Sequence, residues 1–117
     1  MEVTQIEAFL KDFKEKLGFW GIMIRSDREK NKATMLALEI YMPQIKQVLQ
    51  QLTVQDYSEG PLTETLYKGA DMWVFGKLIK SQEVYIKISL GVANQALCIS
   101  FHFSDYPMSY PFKNTAL

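Results

Sequence analysis

Apolar side chains at Ile6, Phe9, Leu10, Phe13 and Leu17 fall on one side of a 3.6-residue period. Thr4 followed by Glu7 has the spacing of a capping box and Gly18 breaks the run, so the pattern predicts a helix over 5–17. The pattern then changes: Trp20, Ile22 and Ile24 alternate with Gly21 and Arg25, the period of a half-buried strand over 19–25. Ser26 to Lys32 is uniformly polar and reads as an exposed loop, while Ala33 to Glu39 fits neither period cleanly, leaving helix and strand both open. Pro43 suits a first helical position, and Ile45, Val48, Leu49 and Leu52 repeat at helical spacing, so a second helix is expected over about 43–52. Residues 53–70, with Gly60, Pro61 and Gly69, read as a long connection, a kind of segment that is often functional.

Three runs of strand-forming residues follow, at about 71–80, 83–90 and 96–104, and predict an antiparallel meander. Side chains alternate across a strand, so each run offers one face to a core and one to solvent. In the middle run Val84, Ile86 and Ile88 are the inward set, leaving Tyr85, Lys87 and Ser89 outward. In the last, Leu97, Ile99, Phe101 and Phe103 point in, and Cys98, Ser100 and His102 point out. In the first, Met72, Val74, Gly76 and Leu78 alternate with Trp73, Phe75 and Lys77; the charge on the second set assigns it outward. An odd number of residues in the turn at Lys80-Ser81-Gln82 would bring Lys77 opposite Tyr85. A turn near Val92-Ala93-Asn94 placing Ile86 opposite Ile99 would bring Tyr85 opposite Ser100. One surface then gathers Trp73, Phe75, Lys77, Tyr85, Lys87, Ser100 and His102, and the helices cover the other. The expected architecture is α+β: N-terminal helices on one face of a small curved antiparallel sheet, made of the meander and one N-terminal strand. The tail, 105–117, with Pro107 and Pro111, is expected to be extended.

Composition narrows this further. At 117 residues and 48% apolar content, the chain fills one core and is expected to form a single domain, 1–117. Thirteen basic and thirteen acidic side chains cancel, so no long-range positive field steers the protein to a polyanion, and nucleic-acid contact must come from a local patch. Cys98 is the one cysteine; with no disulfide framework, a reducing cytoplasm is the expected compartment. The segment Met1-Glu2-Val3-Thr4 shows neither a basic nor an apolar leader region, and no apolar run is long enough to span a bilayer, so neither membrane insertion nor secretion is expected.

Lys and Tyr on a solvated sheet face are ordinary and need no function. Trp73 and Phe75 beside them change the reading, because exposed large aromatics call for a partner or a lid, and the tail is a candidate lid. His102 is the only histidine. A lone strand histidine is more often structural than catalytic, yet with an ordinary pKa of about 6.5 it is the side chain suited to proton transfer near neutrality. No metal-ligand spacing, phosphate-binding glycine loop or nucleophile elbow occurs, so neither a metal nor a cofactor is expected.

Val84-Tyr85-Ile86-Lys87-Ile88 followed by Ile99-Ser100-Phe101 resembles the last two strands of the motility quorum-sensing regulator (MqsR-like) toxin family. Asp71-Met72-Trp73-Val74 matches the tryptophan strand that precedes them there, and Leu52-Thr53-Val54-Gln55-Asp56-Tyr57 a short acidic-aromatic segment before it, so the resemblance covers about 43–104. It implies a RelE-like α+β fold and a bacterial, cytoplasmic toxin of a type II toxin-antitoxin system. Such a toxin is a metal-independent endoribonuclease acting on messenger RNA, partnered by a cognate antitoxin, with no DNA binding of its own. Tyr85 falls at the family's functional tyrosine. Three positions depart: Val74 stands where the family has glutamine, Glu59 where it has lysine, and His102 where it has lysine after Ser-Phe. The resemblance assigns Tyr85; the shared sheet surface completes the expected catalytic set with His102 and Lys87, and adds Lys77 for phosphate charge and Trp73, Phe75 and Ser100 as RNA contacts. The alternative reading is a non-catalytic protein-binding module using the aromatic sheet face or the sheet edge. A small-molecule pocket between helices and sheet finds no support in the residues.

Overall fold

A computed structural model of the chain describes residues 2–63, 71–91 and 94–116. Among these the fold is α+β, with three helices and an open five-stranded mixed sheet. In chain order the elements are α1 (Val3–Trp20), β1 (Met23–Ile24), α2 (Glu29–Leu38), α3 (Met42–Gln50), a short 3₁₀ turn at Val54–Asp56, then β2 (Tyr57–Thr63), β3 (Asp71–Ile79), β4 (Gln82–Leu90) and β5 (Ala96–Phe103). The sheet order is β1-β5-β4-β3-β2, with β1 parallel to β5 and the other pairs antiparallel.

α1 buries Ile6, Leu10, Phe13 and Leu17, the expected stripe, but it starts and stops elsewhere. Gln5 reaches back so that its Oε1 accepts the Glu2 N–H at 3.1 Å, replacing the expected Thr4 and Glu7 cap. Gly18 stays helical; the helix ends at Gly21, which takes φ 79° and donates its N–H to the Leu17 carbonyl at 3.0 Å. A positive φ is what glycine supplies at a helix end. The strand expected over 19–25 therefore shrinks to Met23–Ile24, and Trp20, expected to point inward, is 73% exposed.

The polar run 26–32 is not a loop throughout. It opens α2, and its Asn31 is fully buried. Among the described residues no strand lies beside β5 on the β1 side beyond Cys98, and side chains of α2 take that place. Asn31 Oδ1 accepts the Phe101 N–H at 2.9 Å and its Nδ2 donates to the Ile99 carbonyl at 3.0 Å, while Thr34 Oγ1 accepts the Phe103 N–H at 3.1 Å. A buried strand edge left without partners would carry the full desolvation cost of each group, about 1–3 kcal/mol, so this helix completes the sheet. α3 matches the expected second helix. Tyr41 precedes it and donates its N–H to Gln44 Oε1 at 3.0 Å, and Pro43 occupies the second helical position. The expected connection 53–70 contains β2, an edge strand with two register shifts against β3; its remainder, 64–70, lies outside the described residues.

The meander exists where expected, but the first hairpin has a different parity. Ile79 pairs with Gln82, so the turn holds two residues, Lys80 and Ser81, at φ 51° and 68°. Positive φ at both central positions is the hairpin geometry that matches strand twist. An even turn puts Trp73 opposite Ile88, Phe75 opposite Ile86 and Lys77 opposite Val84, on the helix side. Trp73 is 8% exposed and Phe75 fully buried; Phe9 of α1 stacks on Trp73 with centroids 4.8 Å apart, and Tyr57 meets Phe75 edge-on at 6.1 Å. Aromatic rings of this size bury 150–250 Å² each on average, so the core takes them before it takes Gly76 or Leu78. Met72, Val74, Gly76 and Leu78, expected inward, share the opposite face with Tyr85 and Lys87. Lys77, whose charge suggested an outward strand face, instead pairs with Asp56 Oδ2 at 3.1 Å on the helix side.

In the second hairpin the parity holds next to the site and changes beyond it. Val84 pairs with Phe103, Tyr85 with His102, Ile86 with Phe101 and Lys87 with Ser100, two residues along from the expected register. The register then shifts so that Ile88 meets Cys98 and Ser89 meets Leu97. That shift turns Cys98 into the core and Leu97 to the other face, the reverse of the expectation, because one extra residue inverts the alternation. Burial pushes the Cys98 thiol up to about 12, and it behaves as a small apolar side chain. The turn residues 92 and 93 lie outside the described set.

Candidate functional site

The face of the sheet away from α1 opens into a cleft of about 830 Å³. Its floor is β4 and β5: Tyr85 and Lys87 from one, Ser100 and His102 from the other. The paired register makes Tyr85 and His102 direct neighbours, with parallel rings (interplanar angle 11°) and centroids 5.1 Å apart. Lys87 and Ser100 form the next pair along. These four are the expected site residues that the structure brings together. Trp73, Phe75 and Lys77 are not among them, because they lie on the opposite face.

His102 Nδ1 lies 3.0 Å from the Phe103 carbonyl oxygen. A carbonyl can only accept, so Nδ1 carries the proton in this contact and the neutral ring keeps its lone pair on Nε2. That is the tautomer of a proton acceptor. Lys87 supplies a cation one residue pair away.

One wall comes from the start of α2. Arg28 Nη1 donates to Ser100 Oγ at 3.3 Å and to the Ile99 carbonyl at 3.2 Å, which sets the guanidinium beside the floor. A guanidinium carries five N–H groups in a planar fork, suited to a phosphate or carboxylate. Arg28 was missed in the sequence because Ser26 to Lys32 read as one loop. The spacing of Asn31, Thr34 and Leu38, all buried in α2, is the signal that joins that run to the residues after it. Glu59 of β2 lies on another wall and adds an acid to the site.

The third wall is the tail. It leaves β5, turns at Asp105, which pairs with Lys30 at 3.0 Å, and lies back across the cleft face. Glu83 is its anchor: Oε1 accepts from Ser104 Oγ at 2.9 Å and from the Met108 N–H at 3.0 Å, and Oε2 accepts from Tyr110 Oη at 2.7 Å. Burial alone would raise the Glu83 pKa, but the hydrogen bonds from Tyr110, Met108 and Ser104 outweigh it and hold the carboxyl below the usual glutamate range. Burial, together with the Glu83 bond, raises Tyr110 and keeps its hydroxyl a donor. Tyr110 sits over Gly76, where an added Cβ would lie 2.1 Å from Oη. Farther on, Phe112 packs against Tyr57 with centroids 5.8 Å apart, and the Thr115 carbonyl accepts from Gln55 Nε2 at 2.6 Å. The tail is therefore a pinned strap with a turn at 111–114, not a simple extended end; Trp73 is covered by Phe9 of α1, and Phe112 of the tail packs against the core that holds Phe75.

The cleft mixes charges: Arg28, Lys30 and Lys87 against Glu29, Glu59 and Asp105. Lys30 and Asp105 pair with one another at 3.0 Å, and Arg28 and Lys87 both flank Ser100. Among the described residues no three His, Cys, Asp or Glu side chains converge as a metal-binding group, and no helix is long and apolar enough to cross a membrane. No protein-family model, curated protein or solved structure matches this chain.

Proposed function

We propose that the protein is a metal-independent endoribonuclease acting on messenger RNA, the RelE-like toxin of a type II toxin-antitoxin pair, held in check by a cognate antitoxin. The observation that carries the reading is the Tyr85–His102 ring pair flanked by Lys87, Ser100 and Arg28 in one cleft. Metal-free cleavage of RNA uses the ribose 2′-hydroxyl as nucleophile. In this reading His102 Nε2 takes the 2′-hydroxyl proton, and the 2′-oxygen bonds to phosphorus. The 5′-oxygen of the next nucleotide leaves with a proton from Tyr85, giving a 2′,3′-cyclic phosphate and a 5′-hydroxyl. Lys87 and Arg28 face the charge that builds on the non-bridging oxygens, where fixed cations and donors lower the barrier most. Arg28 takes the phosphate role that the sequence pattern gave to Lys77.

The test is long single-stranded RNA incubated with purified protein in excess chelator. Fragments ending in cyclic phosphate are expected, and a Tyr85→Phe, His102→Ala double variant with unchanged circular dichroism is expected to lose at least about a hundredfold in rate. Intact RNA at enzyme excess, or full activity in the double variant, overturns the reading. The rival reading, a non-catalytic protein-binding module, loses its aromatic sheet face to the core. It keeps the sheet edge at β2 and gains Phe19 and Trp20, left 83% and 73% exposed at the end of α1. Harmless expression in cells would favour it; growth arrest relieved by the product of a neighbouring small open reading frame would favour the toxin.

A further inference from the structure

An RNA-cleaving cleft has to hold a base as well as a phosphate, and the residues expected to do so are out of reach. Trp73 stacks on Phe9 beneath the sheet and Phe75 is fully buried. Among the described residues two tyrosines, Tyr85 and Tyr106, line the cleft itself. One ring face of Tyr85 is taken by His102. Tyr106 is 74% exposed, on the strap.

We propose that Tyr106 is the base-stacking platform of the cleft, receiving an unpaired nucleobase next to the phosphate held by Lys87 and Arg28. The proposal rests on the RNA reading above and extends it to a subsite outside the residues that resemble any family. Its support is the way the backbone around Tyr106 is fixed. Asp105 just before it is tied to Lys30 at 3.0 Å. Pro107 just after it has a locked φ and restricts the residue it follows. Met108 is then tied through its N–H to Glu83 at 3.0 Å, and Tyr110 is bonded to the same carboxylate at 2.7 Å over the space that Gly76 leaves open. An aromatic side chain on a backbone pinned from both sides loses only two torsions on binding, so stacking carries a small entropic cost. Tyr106 follows His102 by four residues, which places its Cα at most about 14 Å from that of the proton-transfer residue. A π-face is common to every base, so this contact gives affinity for single strands without strong sequence preference.

The experiment is fluorescence anisotropy with a short single-stranded RNA that is 2′-O-methylated throughout, and therefore uncleavable, alongside the same strand with abasic positions. Tyr106→Ala is expected to weaken the base-bearing strand about five- to hundredfold, with Tyr106→Phe and Tyr106→Trp binding like the parent. The abasic strand is expected to bind the parent and Tyr106→Ala equally. Because Tyr106 is exposed, its variants are expected to keep the parent's Tm. Equal binding of the base-bearing strand by parent and Tyr106→Ala overturns the proposal, as does an equal loss on both strands, which would mean that Tyr106 touches the backbone. If the parent cleaves metal-free RNA while either result is obtained, this proposal alone falls. If the parent neither binds nor cleaves RNA, the nuclease reading falls with it.

Discussion

On the helix side of β3, β4 and β5 lie Trp73, Phe75, Ile86, Ile88 and Phe101, all in the continuous core with α1. On the other side the same strands carry Gly76, Tyr85, Lys87, Ser100 and His102, which support a cleft and a strap. The difference lies in what closes each face. The helix side is closed by large apolar rings packed at van der Waals distance, so its specificity comes from volume. The cleft side is closed by the tail, which is held at polar points: Glu83 gathers three donors from it and Asp105 pairs with Lys30. One face is costly to alter anywhere, whereas the other is sensitive at a few polar points.

Substitutions on the two faces separate these properties. Phe75→Ala removes a fully buried ring between Tyr57 and Ile86 and is expected to cost about 3–5 kcal/mol, read as a fall in urea midpoint. A loss under about 1 kcal/mol would mean that the core is looser than its burial indicates. Gly76→Ala, on the cleft side of the next residue, drives a methyl into Tyr110 and is expected to cost about 1–3 kcal/mol. Chymotryptic cleavage after Phe112 is expected to rise in the same variant. Unchanged proteolysis would show that the strap does not depend on Tyr110.

Acid should act on the cleft side first. Glu83 has a lowered carboxyl pKa in the fold, so its contribution is present above the ordinary unfolded value of about 4.3 and disappears as pH falls through its lower folded value. Tail proteolysis measured from neutrality downward is expected to stay flat and then rise below about pH 4, and Glu83→Gln is expected to remove the dependence. The smallest effect is expected from Lys77→Ala. It loses a part-buried pair with Asp56, about 1 kcal/mol, and leaves RNA binding as in the parent. Weaker RNA binding in that variant would return Lys77 to the cleft and contradict the assignment of faces.

How far the site could be read in the sequence follows from which interactions were local. Tyr85, Lys87, Ser100 and His102 were legible because Val84, Ile86 and Ile88 alternate with polar neighbours and Phe101 and Phe103 do the same, so each strand declares its own inner face. β3 declares nothing, since both of its residue sets are apolar and Lys77 gave the only contrast. Its face depends on whether the turn before β4 holds two residues or three, and Lys80-Ser81 lacks the Asn-Gly or Asp-Gly signature of a two-residue hairpin. Arg28 and the strap were hidden for another reason: their partners Ser100 and Glu83 lie 72 and 21 to 27 residues away. β2 was hidden by Gly60 and Pro61, which mark turns more often than strands.

Strong periodicity along the chain was enough for the apolar stripe of α1, the core of α3, the three strands of the meander and the parity of β4 against the start of its pairing with β5. Hydrophobic alternation decides these residue by residue, because each side chain has only two faces to choose between. The tertiary structure alone decided the sidedness of β3, the edge pairing supplied by Asn31 and Thr34, and the folding of the tail onto Glu83. Each of those depends on a contact between distant segments, and an unpaired N–H, a buried aromatic or a desolvated carboxylate finds its partner by position in space, which no local pattern encodes.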